Sequence, residues 1–127
     1  MDTALSALTG QARVPRPRPV QGRVAFVQLR RSKRRSQSGP LRVQFVPAQQ
    51  TDDVRRVAFA VPRKVGTAVE RNRVRRRLRA IAAEASMLIP AGAYLVGTDQ
   101  GVRDLSFQEL KARMIEAMQR ATQAKTR

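Results

Sequence analysis

Six arginines fall within nine residues of this chain, at Arg71, Arg73, Arg75, Arg76, Arg77 and Arg79, inside a segment that still reads as a helix. Thr67 with Glu70 three residues on has the form of a capping box, in which the two side chains satisfy amides that a helix start leaves without partners. Val74, Leu78, Ile81, Ala85 and Leu88 recur every three or four residues and make one apolar stripe. At about 100° per residue, Asn72, Arg73, Arg75, Arg76 and Arg79 project away from that stripe. The helix is therefore anchored on one side and cationic on the other. The pairs 71–75, 73–77, 75–79, 73–76 and 76–79 place like charges at neighbouring helical positions, at a combined cost of roughly 1–2.5 kcal/mol. Glu70 is the only acid in or beside the run. A face built merely for solvation would interleave acids, so the density and one-sidedness favour a polyanionic partner.

Composition narrows the partner. The formal net charge is +17, from 26 Lys and Arg against 9 Asp and Glu, and only Lys33, Lys64, Lys111 and Lys125 are lysine. Guanidinium groups bond phosphate bidentately and stack on bases, so the balance favours nucleic acid, RNA especially. No segment pairs such a face with bulky aromatic anchors, which weakens a membrane surface as partner. With no cysteine and no histidine, disulfides, thiolate and zinc-finger metal sites, serine–histidine triads and histidine acid–base catalysis are excluded. No apolar run reaches the length of a membrane span and no signal peptide is evident, so a cytoplasmic location with no membrane association is the expectation.

The 127 residues suit one domain, read as 22–121, with a flexible basic Pro/Arg-rich arm at 1–21 and a frayed basic tail at 122–127. A short turn is expected around Ala4–Leu8, and the alternating prolines and arginines of 13–19 predict an extended, polyproline-like run. Gly22–Arg31 is a candidate helix with Phe26 and Leu29 inward, although Val24–Val27 also suits a strand. Ser32–Ser38 reads as a basic polar turn, broken by Gly39-Pro40. Leu41–Val46 alternates as a half-buried strand with Leu41, Val43 and Phe45 on one face. A polar loop with Asp52 and Asp53 leads to a second strand at Arg56–Val61. Its small residues Ala58 and Ala60 suggest a closely packed helix on their face. The arginine helix runs to about Met87, a strand follows at Ala93–Thr98, and a second capping box, Ser106 with Glu109, starts the last helix. The order helix, two or three strands, helix, strand, helix predicts a single α/β (α+β) sandwich around a small four-stranded sheet.

Val57–Ala80 closely resembles the signature of the bacterial ribonuclease P protein subunit: Lys64-Val-Gly66, then Ala68-Val69, Arg71-Asn72-Arg73, Arg76 and Arg79. Gly92–Val96 and Leu105–Leu110 are similar to that family's last strand and helix. The resemblance implies a left-handed strand–helix–strand crossover, an exception to the general right-handed rule. It implies a chain that leaves the chemistry to a catalytic RNA, the two together removing the 5′ leader of precursor tRNA with magnesium held mainly by the RNA. It further implies that Arg71, Asn72, Arg73, Arg75, Arg76 and Arg79 face the catalytic RNA, with no other protein required. Phe26, Arg30, Phe45, Arg63 and Lys64 are then the residues of a cleft for the leader. Ala25 and Arg30 depart from the family pattern of an acid before the phenylalanine and an apolar or aromatic residue four positions on, so charge stands where a stacking platform is usual. The plainer readings stay open: core packing for Phe26, Phe45 and Phe59, solvated loop charge for Arg63 and Lys64, and a simple polar helix position for Asn72.

Two other functions compete. One is a non-enzymatic, ribosomal-type RNA-binding protein. The other is a nuclease with its own carboxylate-held metals, which the scattered Asp52, Asp53, Asp99 and Asp104 serve poorly. If the arginine face carries RNA, Arg73→Ala with Arg76→Ala flattens the salt dependence of binding, by about 0.7–0.9 log units for each phosphate no longer neutralised. An unchanged slope in a salt titration removes the helix from the interface.

Overall fold

The computed structural model describes residues 16–49 and 53–123. The turn expected around Ala4–Leu8, Asp52 and most of the basic tail lie outside the described residues. Helix α1 spans Arg23–Arg31, strand β1 Arg35–Ser38, β2 Leu41–Pro47, β3 Arg55–Ala60, helix α2 Ala68–Ala85, β4 Gly92–Thr98 and α3 Phe107–Gln123. Short 3₁₀ turns sit at Arg63–Val65, Ser86–Leu88 and Gln100–Asp104. The sheet order is β1-β2-β4-β3, with β3 and β4 parallel and the other pairs antiparallel. The strand–helix–strand unit is thus β3–α2–β4.

Strand register sorts the side chains into two sets. Phe45 pairs with Tyr94 and Tyr94 with Val57, while Val43 pairs with Val96 and Val96 with Phe59. Because side chains alternate across a strand, these rows face one way. They pack with Val74, Leu78 and Ile81 of α2 and with Leu110, Met114 and Met118 of α3 in the main core. The intervening rows, Arg42–Gly97–Ala60 and Gln44–Leu95–Ala58, face the other way. Helix α1 lies on that side against β2 and β4. Its Leu29 is fully buried outside the main core, and Gln44 Nε2 donates to the Arg30 carbonyl at 2.9 Å. The helix expected over Ala58 and Ala60 is therefore α1, but it stops over β2 and β4 and leaves Ala60 exposed.

Residues 35–38 correct the reading of Ser32–Ser38 as a turn. The segment Arg-Ser-Gln-Ser lacks apolar alternation because its inward groups meet polar groups of α3. Ser36 Oγ donates to the Ala117 carbonyl, and Ser38 Oγ bonds Glu116 Oε1 at 2.7 Å. Gly39, at φ 58, supplies the left-handed first position of the two-residue loop into β2. The arm also differs from expectation over residues 16–20. Arg18 N donates to the Arg55 carbonyl and its own carbonyl accepts from Val57 N, both at 2.8 Å, so the chain runs parallel along the outer edge of β3.

Both expected capping boxes are present. Glu70 N donates to Thr67 Oγ1 at 3.2 Å and Thr67 N to Glu70 Oε1 at 2.8 Å. Ser106 and Glu109 repeat the arrangement at 2.9 and 3.1 Å. These amide bonds hold the carboxyls of Glu70 and Glu109 below their ordinary range. Their support for the helix starts is complete above the unfolded carboxyl range and fades as pH falls through the folded one.

Gly92 starts β4 at φ 144, where an added Cβ would lie 2.6 Å from both Phe45 Cε1 and the Val46 carbonyl oxygen. Gly92→Ala should destabilise the chain by about 1–3 kcal/mol, as over-packing does, read as a lower denaturation midpoint at unchanged slope. An unchanged midpoint would show that β2 and β4 separate freely at that point.

Candidate nucleic-acid interface

Helix α2 presents two kinds of arginine. Asn72, Arg73, Arg76 and Arg79 are exposed, and Arg75 is half-buried. Arg75 Nη1 donates to Asn72 Oδ1 at 3.1 Å, so the asparagine orients a guanidinium on this face. Val69, Asn72, Arg75, Arg76 and Arg79 border a shallow depression of about 470 Å³. Arg77 points elsewhere, donating from Nη1 to the Leu105 carbonyl at 3.2 Å and tying α2 to the start of α3. Arg71 also leaves the outer face. It is half-buried at the flank of the apolar stripe, and its Nε has no hydrogen-bond partner among the described residues.

The one acid of the run does not neutralise this face. Glu70 closes the capping box and meets Arg103 Nη1 at 3.4 Å, on the far side of the helix start. Among the described residues no carboxylate forms an ion pair with Arg73, Arg75, Arg76 or Arg79. Tertiary packing of the stripe holds these four like charges together with no carboxylate counterion among the described residues.

The expected leader residues do not converge on one cleft. Arg30 lines a groove of about 530 Å³ on the α1 side of the sheet, together with Arg35, Gln37, Arg42, Gln44 and Leu95. Phe26 lines a different groove, of about 620 Å³, with the 16–20 segment, β3 and the α2 flank. Arg63 and Lys64 are exposed on the 3₁₀ turn after β3. Lys64 Nζ lies 3.2 Å from Asp99 Oδ1. The Asp99 carboxyl is held below its usual range first by the Gln100 amide and then by Lys64.

Phe45 is a correction. It is 2% exposed in the main core, its ring centroid 4.8 Å from that of Tyr94 and its face covered by the Arg34 guanidinium at 5.2 Å. Strand alternation puts it on the same face as Leu41 and Val43, away from the groove. From β2 the groove is lined by Arg42, Val43 and Gln44, and of these Arg42 and Gln44 lie on the face opposite Phe45. That polar face is visible in the alternation of Leu41–Val46, and the groove follows once a short helix is laid against it.

The arginine face, the groove beneath α1 and the β3–α2–β4 unit now have a family. The family model described as Ribonuclease P matches residues 14–122. The chain belongs to this family. It is 38% identical over 88 residues to the ribonuclease P protein component of Symbiobacterium thermophilum, covering 68% of this chain and 76% of that protein. It is 35% identical over 63 residues to the ribonuclease P protein component of Streptococcus thermophilus, covering 50% of this chain and 57% of that relative's length. Among solved structures, the RNase P proteins of Staphylococcus aureus and Thermotoga maritima share the fold. Both superpose with a TM-score of 0.70, at 18% and 22% identity, covering 80% of this chain and 92% and 96% of theirs. The four-stranded mixed sheet with three helices is thus the architecture of ribonuclease P proteins.

The burial of Phe45 separates two substitutions. Phe45→Ala should cost about 3–5 kcal/mol of stability and depress binding to every RNA in step with unfolding. Arg42→Ala, on the exposed face, should keep the unfolding midpoint within about 0.5 kcal/mol of the parent while weakening a single-stranded RNA probe. Phe45→Ala with intact stability and selectively weaker probe binding would return Phe45 to the groove.

Proposed function

We propose that this chain is the protein component of a bacterial ribonuclease P and supports endonucleolytic removal of the 5′ leader of precursor tRNA by a catalytic RNA. The observation that carries the reading is the face of α2 formed by Asn72, Arg73, Arg75, Arg76 and Arg79, without a carboxylate ion pair among the described residues and within the Ribonuclease P match. Asn72, Arg73, Arg75, Arg76 and Arg79 bind the catalytic RNA. Each exposed guanidinium offers a planar pair of donors to phosphate, and the Asn72–Arg75 bond restricts one of them before binding.

The leader lies in the groove beneath α1. Arg30, Arg35 and Arg42 there meet phosphates, while Gln44 and Leu95 supply amide and apolar contacts. Lys64, at the same end of the strands as Arg42 and held beside Asp99, extends the basic surface past the groove. With Phe45 in the core, charge rather than stacking dominates the groove, so its grip on the leader is tolerant of sequence and sensitive to salt.

Among the described residues no three Asp or Glu side chains gather into a cluster that could hold a metal ion. In this reading magnesium is held mainly by the RNA, and the protein binds and positions. Among the described residues no helix is long and apolar enough to cross a membrane. The place of work that goes with this reading is the cytoplasm, where precursor tRNA is processed.

The decisive assay follows 5′ cleavage of a precursor tRNA at low magnesium with the chain alone, a bacterial ribonuclease P RNA alone, and both together. Cleavage much faster with both is the expected result. Tight RNA binding with no acceleration would leave a general RNA-binding protein, and cleavage by the chain alone would move the chemistry into the protein.

A further inference from the structure

The arm along β3 builds something that neither the arginine face nor the groove beneath α1 accounts for. Arg18 turns both its N–H and its carbonyl inward to β3, bonding the Arg55 carbonyl and Val57 N. Pro17 and Pro19 on either side have no N–H to offer outward. The segment therefore closes the open edge of β3 and is itself a poor template for another strand. A protein partner adding a strand here is disfavoured. What the arm does present is charge: Arg16 and Arg18 are exposed, and both line the groove of about 620 Å³ between the arm and α2.

The opposite wall of that groove carries Arg75 and Arg79, which also border the depression on the outer face of α2. Its floor is apolar, with Phe26, Phe59 and Ala82. Among the described residues none of the four guanidinium groups has a carboxylate ion pair. Four cations around an apolar, partly aromatic floor fit a flexible polyanion with flat apolar faces: phosphates on the rims and bases toward the floor. Because Arg75 and Arg79 belong to both surfaces, one strand can pass from the outer face into the groove.

Resting on the ribonuclease P reading, we propose that the Arg16–Val20 arm and the α2 flank form a clamp for a single-stranded segment of the same catalytic RNA that the arginine face binds. The clamp is distinct from the leader groove on the other side of α1. The arm arginines act as its second wall and hold the RNA from the side that α2 cannot reach.

The test uses the full chain with Arg16→Gln and Arg18→Gln together, which leaves the backbone bonds of Arg18 in place. A control with Arg113→Gln and Arg120→Gln removes the same charge from α3. Affinity for a bacterial ribonuclease P RNA is measured at roughly 50 to 200 mM salt, alongside thermal melting. Releasing two phosphates lowers the salt slope by about 1.4 or more, so the parent's advantage over the arm variant should shrink about sevenfold across that range. The control should follow the parent, all melting curves should coincide, and adding Arg79→Gln to the arm variant should cost less than Arg79→Gln alone. An arm variant that matches the parent overturns the clamp. So does an equal loss in the α3 control, or weakening confined to precursor tRNA with catalytic-RNA binding intact. A parent that binds the catalytic RNA no better than an unrelated structured RNA overturns the ribonuclease P reading along with it.

Discussion

The structure depends on the burial of one helix stripe. Val74, Leu78, Ile81 and Ala85 are 3% exposed or less against the sheet and α3. This packing must outweigh a repulsion of roughly 1–2.5 kcal/mol among the arginines that ride on the same helix. At about 1.5–3 kcal/mol for each large apolar side chain buried, three such residues suffice with a margin. The margin explains the polarity of the helix. The core can hold the charges in place without acids among them, and acids among them would compete with phosphate for the same guanidinium donors.

A similar division of labour governs polar groups elsewhere. Glu70 and Glu109 serve the helix starts, Asp99 receives a backbone amide and Lys64, and Glu84 and Glu116 pair with Lys111 and Arg120. These acids are thus committed to scaffolding at helix ends and on α3, outside the arginine face. Arg34, Arg55 and Arg77 are likewise turned to carbonyls, of Thr122, Ile89 and Leu105. By contrast Arg73, Arg76 and Arg79 on α2 and Arg23, Arg30 and Arg31 on α1 are exposed.

How far the sequence reaches depends on whether a signal is local. The capping boxes, the α2 stripe from Val74 to Ala85 and the alternation of Leu41, Val43 and Phe45 are carried by neighbours in sequence and appear where periodicity puts them, whereas Leu88, expected in the stripe, lies on the 3₁₀ turn after α2 and is 53% exposed. Strand β1 is hidden because its inward residues, Ser36 and Ser38, bond groups of α3 that lie 81 and 78 residues further along the chain. No period-two apolar signal arises from such a strand. The arm is hidden for a related reason. Proline removes the pattern by which strands are recognised, yet a single N–H and carbonyl at Arg18 suffice to dock the segment.

The candidate site shows the same limit at the level of one residue. The family resemblance puts Phe45 in the groove, and one position along a strand is a change of face. The strand's own alternation already groups Phe45 with the core and sets Arg42 and Gln44 opposite. Where a motif and a local periodicity conflict, burial free energy settles the matter. Exposing a phenylalanine to place it in a charged groove would forfeit a large part of its burial, whereas arginine and glutamine lose little by facing solvent. The groove of this chain is accordingly basic and amide-rich. Phe26 lines the separate groove on the arm side of α1, so any strand that uses both grooves must wrap around that helix.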